Sequence, residues 1–142
     1  MKRYPRTGLK IKSEKGVHPE VKAECTKFCN WLQWQMTFDV RVVIYLKQDT
    51  LIKNRTTNEM AAATFFAPYD KEEEPYIRIA TGSYEKLIVE YGKKNALYEI
   101  LDSIAHEIIH YRQWLNDVKI DEEKAEEEGL KLMDQYIETL QS

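Results

Sequence analysis

The sequence predicts an α+β domain in which a small, mostly antiparallel sheet of about three strands packs on helices. Segments with alternating apolar residues lie between positions 38 and 81, as expected of half-buried strands. Segments with apolar residues at helical spacing lie before and after them. A chain of 142 residues fits one domain that buries a core without disulfide bonds, so we expect residues 1–142 to form a single domain.

The first fifteen residues are rich in lysine and arginine. They lack the continuous apolar core and small-residue cleavage site of a secretory signal. We therefore interpret residues 1–15 as a loose basic segment and expect a cytoplasmic protein. No apolar run in the chain approaches the roughly 20 residues that span a bilayer, so we expect no membrane interaction.

Net charge argues against a nucleic-acid-binding protein, and cysteine content argues against a disulfide-stabilised one. The formal net charge of −3 gives no general attraction to nucleic acid, whose binding depends on clustered lysine and arginine, so we predict no nucleic-acid partner. Cys25 and Cys29 are the only cysteines, and they lie one helical turn apart, where a disulfide would constrain little. We interpret them as buried thiols in a reducing compartment.

The first half of the chain predicts one helix and three strands. Segment 18–36 predicts a helix, because Pro19 is favoured in a first turn and apolar residues follow at helical spacing. Alternation over Phe38–Leu46 predicts a half-buried strand. Segments Met60–Tyr69 and Tyr76–Thr81 predict two more strands, which a short charged turn would join as a hairpin.

The second half predicts three helices. Ser83 is the expected cap of a short helix that Gly92 ends. A long helix is expected from about Asn95 to Asn116, and a last helix from a cap at Asp121 to about Leu140. The residues expected to face the core are Leu97, Ile100, Leu101, Ile104, Ala105, Ile108 and Leu115 in the long helix, and Ala125, Leu130, Met133 and Ile137 in the last.

The long helix contains the sequence His-Glu-Ile-Ile-His at positions 106–110. His106 and His110 are four residues apart, so both imidazoles project from one helix face and can bind one ion. They supply two of the three protein ligands of a catalytic zinc site, which keeps a fourth position for water. Glu107 lies beside the first histidine, where it can take a proton from that water and pass it to a leaving group.

A glutamate-rich helix can also hold two histidines at this spacing without binding a metal. Ile104, Ile108 and Ile109 predict that this helix is largely buried, and two histidines and a glutamate would be costly to bury without compensation. Two of the three histidines of the chain lie in this one arrangement. We therefore favour a zinc site.

A third zinc ligand must come from elsewhere in the chain. His18 lies far upstream, and we interpret it as a residue of the first helix start. An antiparallel return of the last helix would bring its first turns back to the metal. Glu122 and Glu126 share a face there, so one can bind zinc while the other supports a ligand. The alternative is a solvated acidic helix start that the helix dipole favours.

The motif at 106–110 and the glutamate helix that follows resemble the gluzincin branch of zinc metallopeptidases, in its minimal, single-domain, zincin-like form. The resemblance covers about Leu97–Met133. In that branch the ligand glutamate opens a helix, a small residue follows three positions later, and an Asp or Asn often stands at the fourth. Glu122 and Ala125 fit this pattern, and Glu126 departs from it. The interval from histidine to glutamate is also shorter than in larger members. The resemblance implies Glu122 as third ligand, with Glu126 as the alternative.

The resemblance implies a zinc metallopeptidase that acts on a peptide or protein substrate, with Glu107 as general base. It also implies that a strand before the active helix forms the rim of the cleft and pairs with extended substrate, for which Tyr76–Thr81 is the candidate. Tyr111 is expected to be a packed side chain rather than an oxyanion donor. Two alternatives stay open: a non-catalytic zinc-stabilised interaction or regulatory module, and a latent peptidase whose cleft is covered by the N-terminal segment or a partner.

Overall fold

A computed structural model describes residues 6–54 and 57–141, and these form an α+β fold, as the sequence predicts. Helices pack on a sheet, and a small second sheet lies beside the main one. In chain order the elements are β1 (Leu9–Ser13), α1 (Pro19–Gln35), β2 (Val42–Lys47), β3 (Ile52–Lys53), β4 (Met60–Ala61), β5 (Ala63–Phe66), β6 (Tyr76–Ala80), α2 (Tyr84–Tyr91), α3 (Lys93–Leu115) and α4 (Glu122–Gln141).

The main sheet has four strands in the order β1-β2-β6-β5. Strands β1, β2 and β6 run parallel, and β5 runs antiparallel to β6. Strands β3 and β4 form a separate antiparallel pair. The sheet is thus larger and more parallel than expected, because an additional strand, β1, precedes α1 and because β2 and β6 are parallel neighbours connected through β3, β4 and β5.

The additional strand β1 corrects the expectation of a loose segment over residues 1–15, as far as Leu9–Ser13 is concerned. These residues pair with β2, and Leu9 lies opposite Val42. Leu9 is buried while Lys10 is exposed, so the basic residues of this strand point away from the core. Residues 1–5 lie outside the described part of the chain.

The expected hairpin forms, but the predicted strand Met60–Tyr69 contributes only β5 to it, since Met60–Ala61 pairs with β3 instead. Strands β5 and β6 pair from Ala63 opposite Ile79 to Phe66 opposite Tyr76. The predicted strand over Phe38–Leu46 begins only at Val42, although the side chains of Phe38 and Val40 are buried as the alternation requires.

Capping contacts confirm the predicted starts of α1 and α4, whereas Ser83 precedes α2 without the side-chain hydrogen bond expected of a cap. The Nδ1 atom of His18 accepts a hydrogen bond from the Glu20 backbone N–H at 3.1 Å, so His18 caps α1 as the sequence indicates. The Asp121 carboxylate accepts one from the Lys124 N–H at 3.0 Å and caps α4. Gly92 ends α2 with a positive φ of 85°, a conformation that glycine adopts at little cost.

The hydrophobic core lies between the main sheet and the helices, and α3 contributes the largest part of it. In α4 the buried face consists of Ala125, Gly129, Leu132, Met133 and Tyr136. The expectation that Leu130 faces the core is wrong, because Leu130 lies outside this face and is exposed. Among the described helices, none is both long and apolar enough to cross a membrane.

Candidate metal centre

Helix α3 brings His106, Glu107 and His110 together, as the spacing of the motif requires. Their candidate ligand atoms all lie within 4.8 Å of one another. The side chains of Glu107 and His110 are buried, and that of His106 is partly exposed. The two imidazole rings meet edge to face with their centroids 4.9 Å apart. A single ion can therefore reach both rings from one side of the helix.

Glu122, in the first turn of α4, lies against both histidines. One carboxylate oxygen is 3.1 Å from Nε2 of His106, and the other is 2.8 Å from Nε2 of His110. Glu126 instead lies close enough to Asp102 to affect its ionisation. Burial first, and then Glu99 and Glu126, raise the pKa of Asp102, while His106 lowers it. Of the two glutamates that the sequence left as alternatives, Glu122 has the contacts that a ligand needs.

The side chain of His110 has one nitrogen with a partner and one without. Although Glu122 lies 2.8 Å from its Nε2 atom, the pair lacks hydrogen-bond geometry, and this buried nitrogen has no hydrogen-bond partner within the described structure. A buried polar atom without a partner is costly unless something else satisfies it. A cation between the imidazoles and the carboxylate would do so, and two nitrogens with one carboxylate are a donor set that zinc prefers.

The carboxyl group of Glu107 is also buried, next to His110 and Glu122. Burial raises its pKa to about 8, and the nearby carboxylate of Glu122 adds to the rise. Loss of water around the group disfavours its charged form, and a second negative charge acts in the same direction. A carboxyl group with a pKa in this range is suited to exchange protons near neutral pH.

Helices α3 and α4 approach closely where Gly129 meets the backbone of His106. A Cβ atom on Gly129 would lie 3.3 Å from both the Cα and the N of His106. Gly129 follows Glu122 by seven residues, two helical turns, so both lie on the face of α4 that turns toward α3. The glycine thus allows the approach that brings Glu122 to the histidines, and the sequence analysis did not single it out.

Gln113 is a second residue that the sequence analysis missed. Its buried side-chain oxygen lies 2.9 Å from Nδ1 of His110 and accepts a hydrogen bond from the Asp121 N–H at 3.2 Å. Its side-chain nitrogen donates to the Asp121 carbonyl at 3.2 Å. The one signal in the sequence was spacing, because Gln113 lies one helical turn after His110. Its contact with Asp121 depends on how the chain turns between α3 and α4.

An open cleft of about 530 Å³ leads to the histidines. One wall is α3, and the other is formed by β5 and the residues just before it. The expectation that Tyr76–Thr81 forms the exposed rim is wrong, because β6 is paired on both sides and β5 is the strand at the edge. A sequence pattern that predicts a hairpin does not indicate which of the two strands pairs with a third strand. The residues along the cleft include Ala61, Ala62, Ala63, Thr64, Phe65, Asp102, Ser103, His106, Glu107, His110 and Glu122.

The aromatic residues after the second histidine serve in packing. Tyr111 is fully buried, and its hydroxyl donates to the Val40 carbonyl. The indole N–H of Trp114 donates to the Pro68 carbonyl at 2.8 Å. Tyr111 is therefore a packed side chain, as expected, and its hydroxyl already has a partner away from the cleft.

Comparison with known proteins identified no family model that matches the chain, and no significantly similar curated protein or solved structure. The chemistry of the site has to be inferred from its own residues.

Proposed function

We propose that the protein is a zinc-dependent peptidase with His106, His110 and Glu122 as metal ligands and Glu107 as general base. The observation that supports this most strongly is the meeting of two helices at one point: the histidines of α3 and the carboxylate of α4 converge at the end of an open cleft. Three protein ligands beside an accessible space are typical of catalytic zinc sites, whereas structural sites have four and are closed.

The residues divide the chemistry among them. When bound, zinc would act as a Lewis acid that lowers the pKa of water to about 7 and polarises a carbonyl group. Glu107 accepts the proton that the attacking water loses and delivers it to the nitrogen of the leaving amine. Glu107 is buried beside His106 and lines the cleft. The partly exposed side of His106 faces the cleft from which substrate would enter.

The edge strand β5 supports a peptide as the substrate. The Ala80 N–H donates to the Ala62 carbonyl at 2.8 Å, so these two residues form a hydrogen-bonded pair. Such pairs alternate along an antiparallel ladder, so the N–H and C=O groups of Ala63 and Phe65 point away from β6. No described strand pairs with that edge. An extended peptide can therefore add to β5 beside the histidines.

The buried, unpaired state of Cys25 and Cys29 is compatible with the cytoplasmic location that we predict.

Metal analysis of purified variants tests the ligand set. We expect one zinc per chain in the wild type, retained in Glu126→Ala and lost in His106→Ala and Glu122→Ala, because only the last two remove a contact at the point of convergence. Glu126→Ala is a matched control, since it removes a glutamate one turn further along the same helix. Wild-type protein that takes up no zinc when supplied with it would refute the proposal.

A further inference from the structure

We propose that Gln113 is a positioning residue that fixes how His110 and Glu122 face the metal; this inference rests on the zinc site proposed above. Gln113 does not itself reach the point where the ligands converge. It connects the second histidine of α3 to the residue just before the carboxylate ligand of α4, through contacts made by one buried amide.

The first part of this role concerns the tautomer of His110. An amide oxygen only accepts hydrogen bonds, so its contact at 2.9 Å requires that Nδ1 of His110 carries the proton. The orientation of the amide is fixed independently, because its nitrogen donates to the Asp121 carbonyl while its oxygen accepts from the Asp121 N–H. A neutral imidazole protonated at Nδ1 presents an unprotonated Nε2, the nitrogen that faces Glu122.

The second part concerns the start of α4. Asp121 caps this helix, and its backbone N–H has no partner within the helix ladder. Gln113 supplies that partner and also donates to the Asp121 carbonyl, so the backbone one residue before Glu122 is held at both polar groups. The same side chain therefore sets the position of a histidine ring and of the first turn that contains the carboxylate.

A neutral amide is well suited to this place. Ligating histidines usually donate their second ring N–H to a carboxylate, a backbone carbonyl or water, and this contact fixes the orientation of the ring. Here Glu107 and Glu122 already place two carboxyl groups beside the histidines. An amide oxygen orients His110 without adding a third negative charge to the group.

The test measures zinc affinity by competition with a chromophoric chelator at pH 8. Gln113→Met has a similar shape but makes none of the three hydrogen bonds, and we expect it to weaken zinc binding about 10- to 100-fold. Gln113→Glu keeps an acceptor for both His110 and the Asp121 N–H but adds a negative charge and loses the donor to the Asp121 carbonyl, so we expect its zinc affinity to lie between those of Gln113→Met and the wild type. Asn116→Ala is the matched control, because this exposed amide at the C-terminal end of α3 donates to the Arg112 carbonyl, away from the site, and its zinc affinity should equal that of the wild type.

The tautomer provides a readout that does not depend on zinc or on any substitution. We expect the ¹⁵N resonances of zinc-free wild type at pH 8 to show His110 protonated at Nδ1, and those of folded Gln113→Met to show a shift toward the other tautomer. A wild type in which Nδ1 of His110 carries no proton would overturn the inference. So would wild-type zinc affinity in Gln113→Met, or an affinity of Gln113→Glu as low as that of Gln113→Met. A wild type that binds no zinc would instead refute the proposed function and leave the tautomer to decide the role of Gln113.

Discussion

At the scale of single residues, Glu122 is informative because its side chain is largely exposed and yet contacts two histidines. Its side chain is 76% exposed, whereas the His110 side chain that it meets is only 5% exposed. A carboxylate in such a position has little desolvation cost of its own, so it can approach a buried imidazole from the solvent side. The site therefore combines two buried side chains and one partly exposed side chain on α3 with one exposed side chain on α4.

The two cysteines are a contrasting case of buried groups, and neither forms a disulfide within the described residues. Burial raises the pKa of the Cys29 thiol to about 12, and burial with the neighbouring Cys29 raises that of Cys25 further. Since the thiolate is the reactive form, we expect neither to react with a disulfide reagent at pH 8 while the protein is folded, and both to react in denaturant. Thiol titration with and without urea measures this. Rapid reaction of either cysteine in the folded protein would contradict the structure of α1.

At the scale of elements, the contact between α3 and α4 determines whether the ligands meet. Buried positions of α4 recur every three or four residues from Ala125 to Tyr136, and Glu122 lies at the start of this face. The two helices come close at Gly129, level with His106. A change in the separation of these helices would therefore move the carboxylate relative to the histidines.

Replacing Gly129 by valine should destabilise the protein. The added side chain would press on the His106 backbone, and overpacking of this kind costs about 1–3 kcal/mol. Leu130→Val is the matched control, because Leu130 is the exposed neighbour and its replacement should change stability by less than about 1 kcal/mol. Urea denaturation of both variants gives the comparison. A Gly129→Val variant as stable as the wild type would contradict the close packing of the two helices.

The edge strand provides a second test at this scale. Ala63→Pro removes an N–H that points away from β6, so we expect the fold and zinc content to be kept and the KM for a peptide to rise. Thr64→Pro is the matched control: it removes an N–H that faces β6 and should lower stability instead. Peptide hydrolysis and thermal unfolding of the two variants distinguish these effects. An unchanged KM in Ala63→Pro would argue against pairing of substrate with β5.

At the scale of the whole molecule, the parts that could be predicted are those set by local periodicity. The helices and the two histidines follow from spacing along a single segment. Strand β1 could not be recognised, because five residues with two lysines give too short an alternation. The central place of β6 depends on pairing with distant β2. Glu122 and Glu126 share a helix face, so only the packing of α4 on α3 separates them.

The position of the core predicts that the protein folds without metal. The buried residues lie between the sheet and the helices and extend well beyond the site at the end of the cleft. We therefore expect a zinc-free protein with an unchanged far-ultraviolet circular dichroism spectrum and a lower Tm, since zinc that binds only the folded state adds stability. Dialysis against a chelator followed by thermal unfolding tests this. Loss of folding on chelation would favour a zinc-stabilised module without catalysis.

The most direct test of the proposed function compares hydrolysis of an unfolded protein substrate by zinc-loaded wild type and Glu107→Gln. The substitution keeps the three proposed ligands and the shape of the side chain but removes the general base, so we expect both proteins to contain one zinc. We expect the variant to be at least about 100-fold slower, as loss of general-base catalysis requires. Equal hydrolysis by the two proteins, or none by the zinc-loaded wild type, would contradict the account.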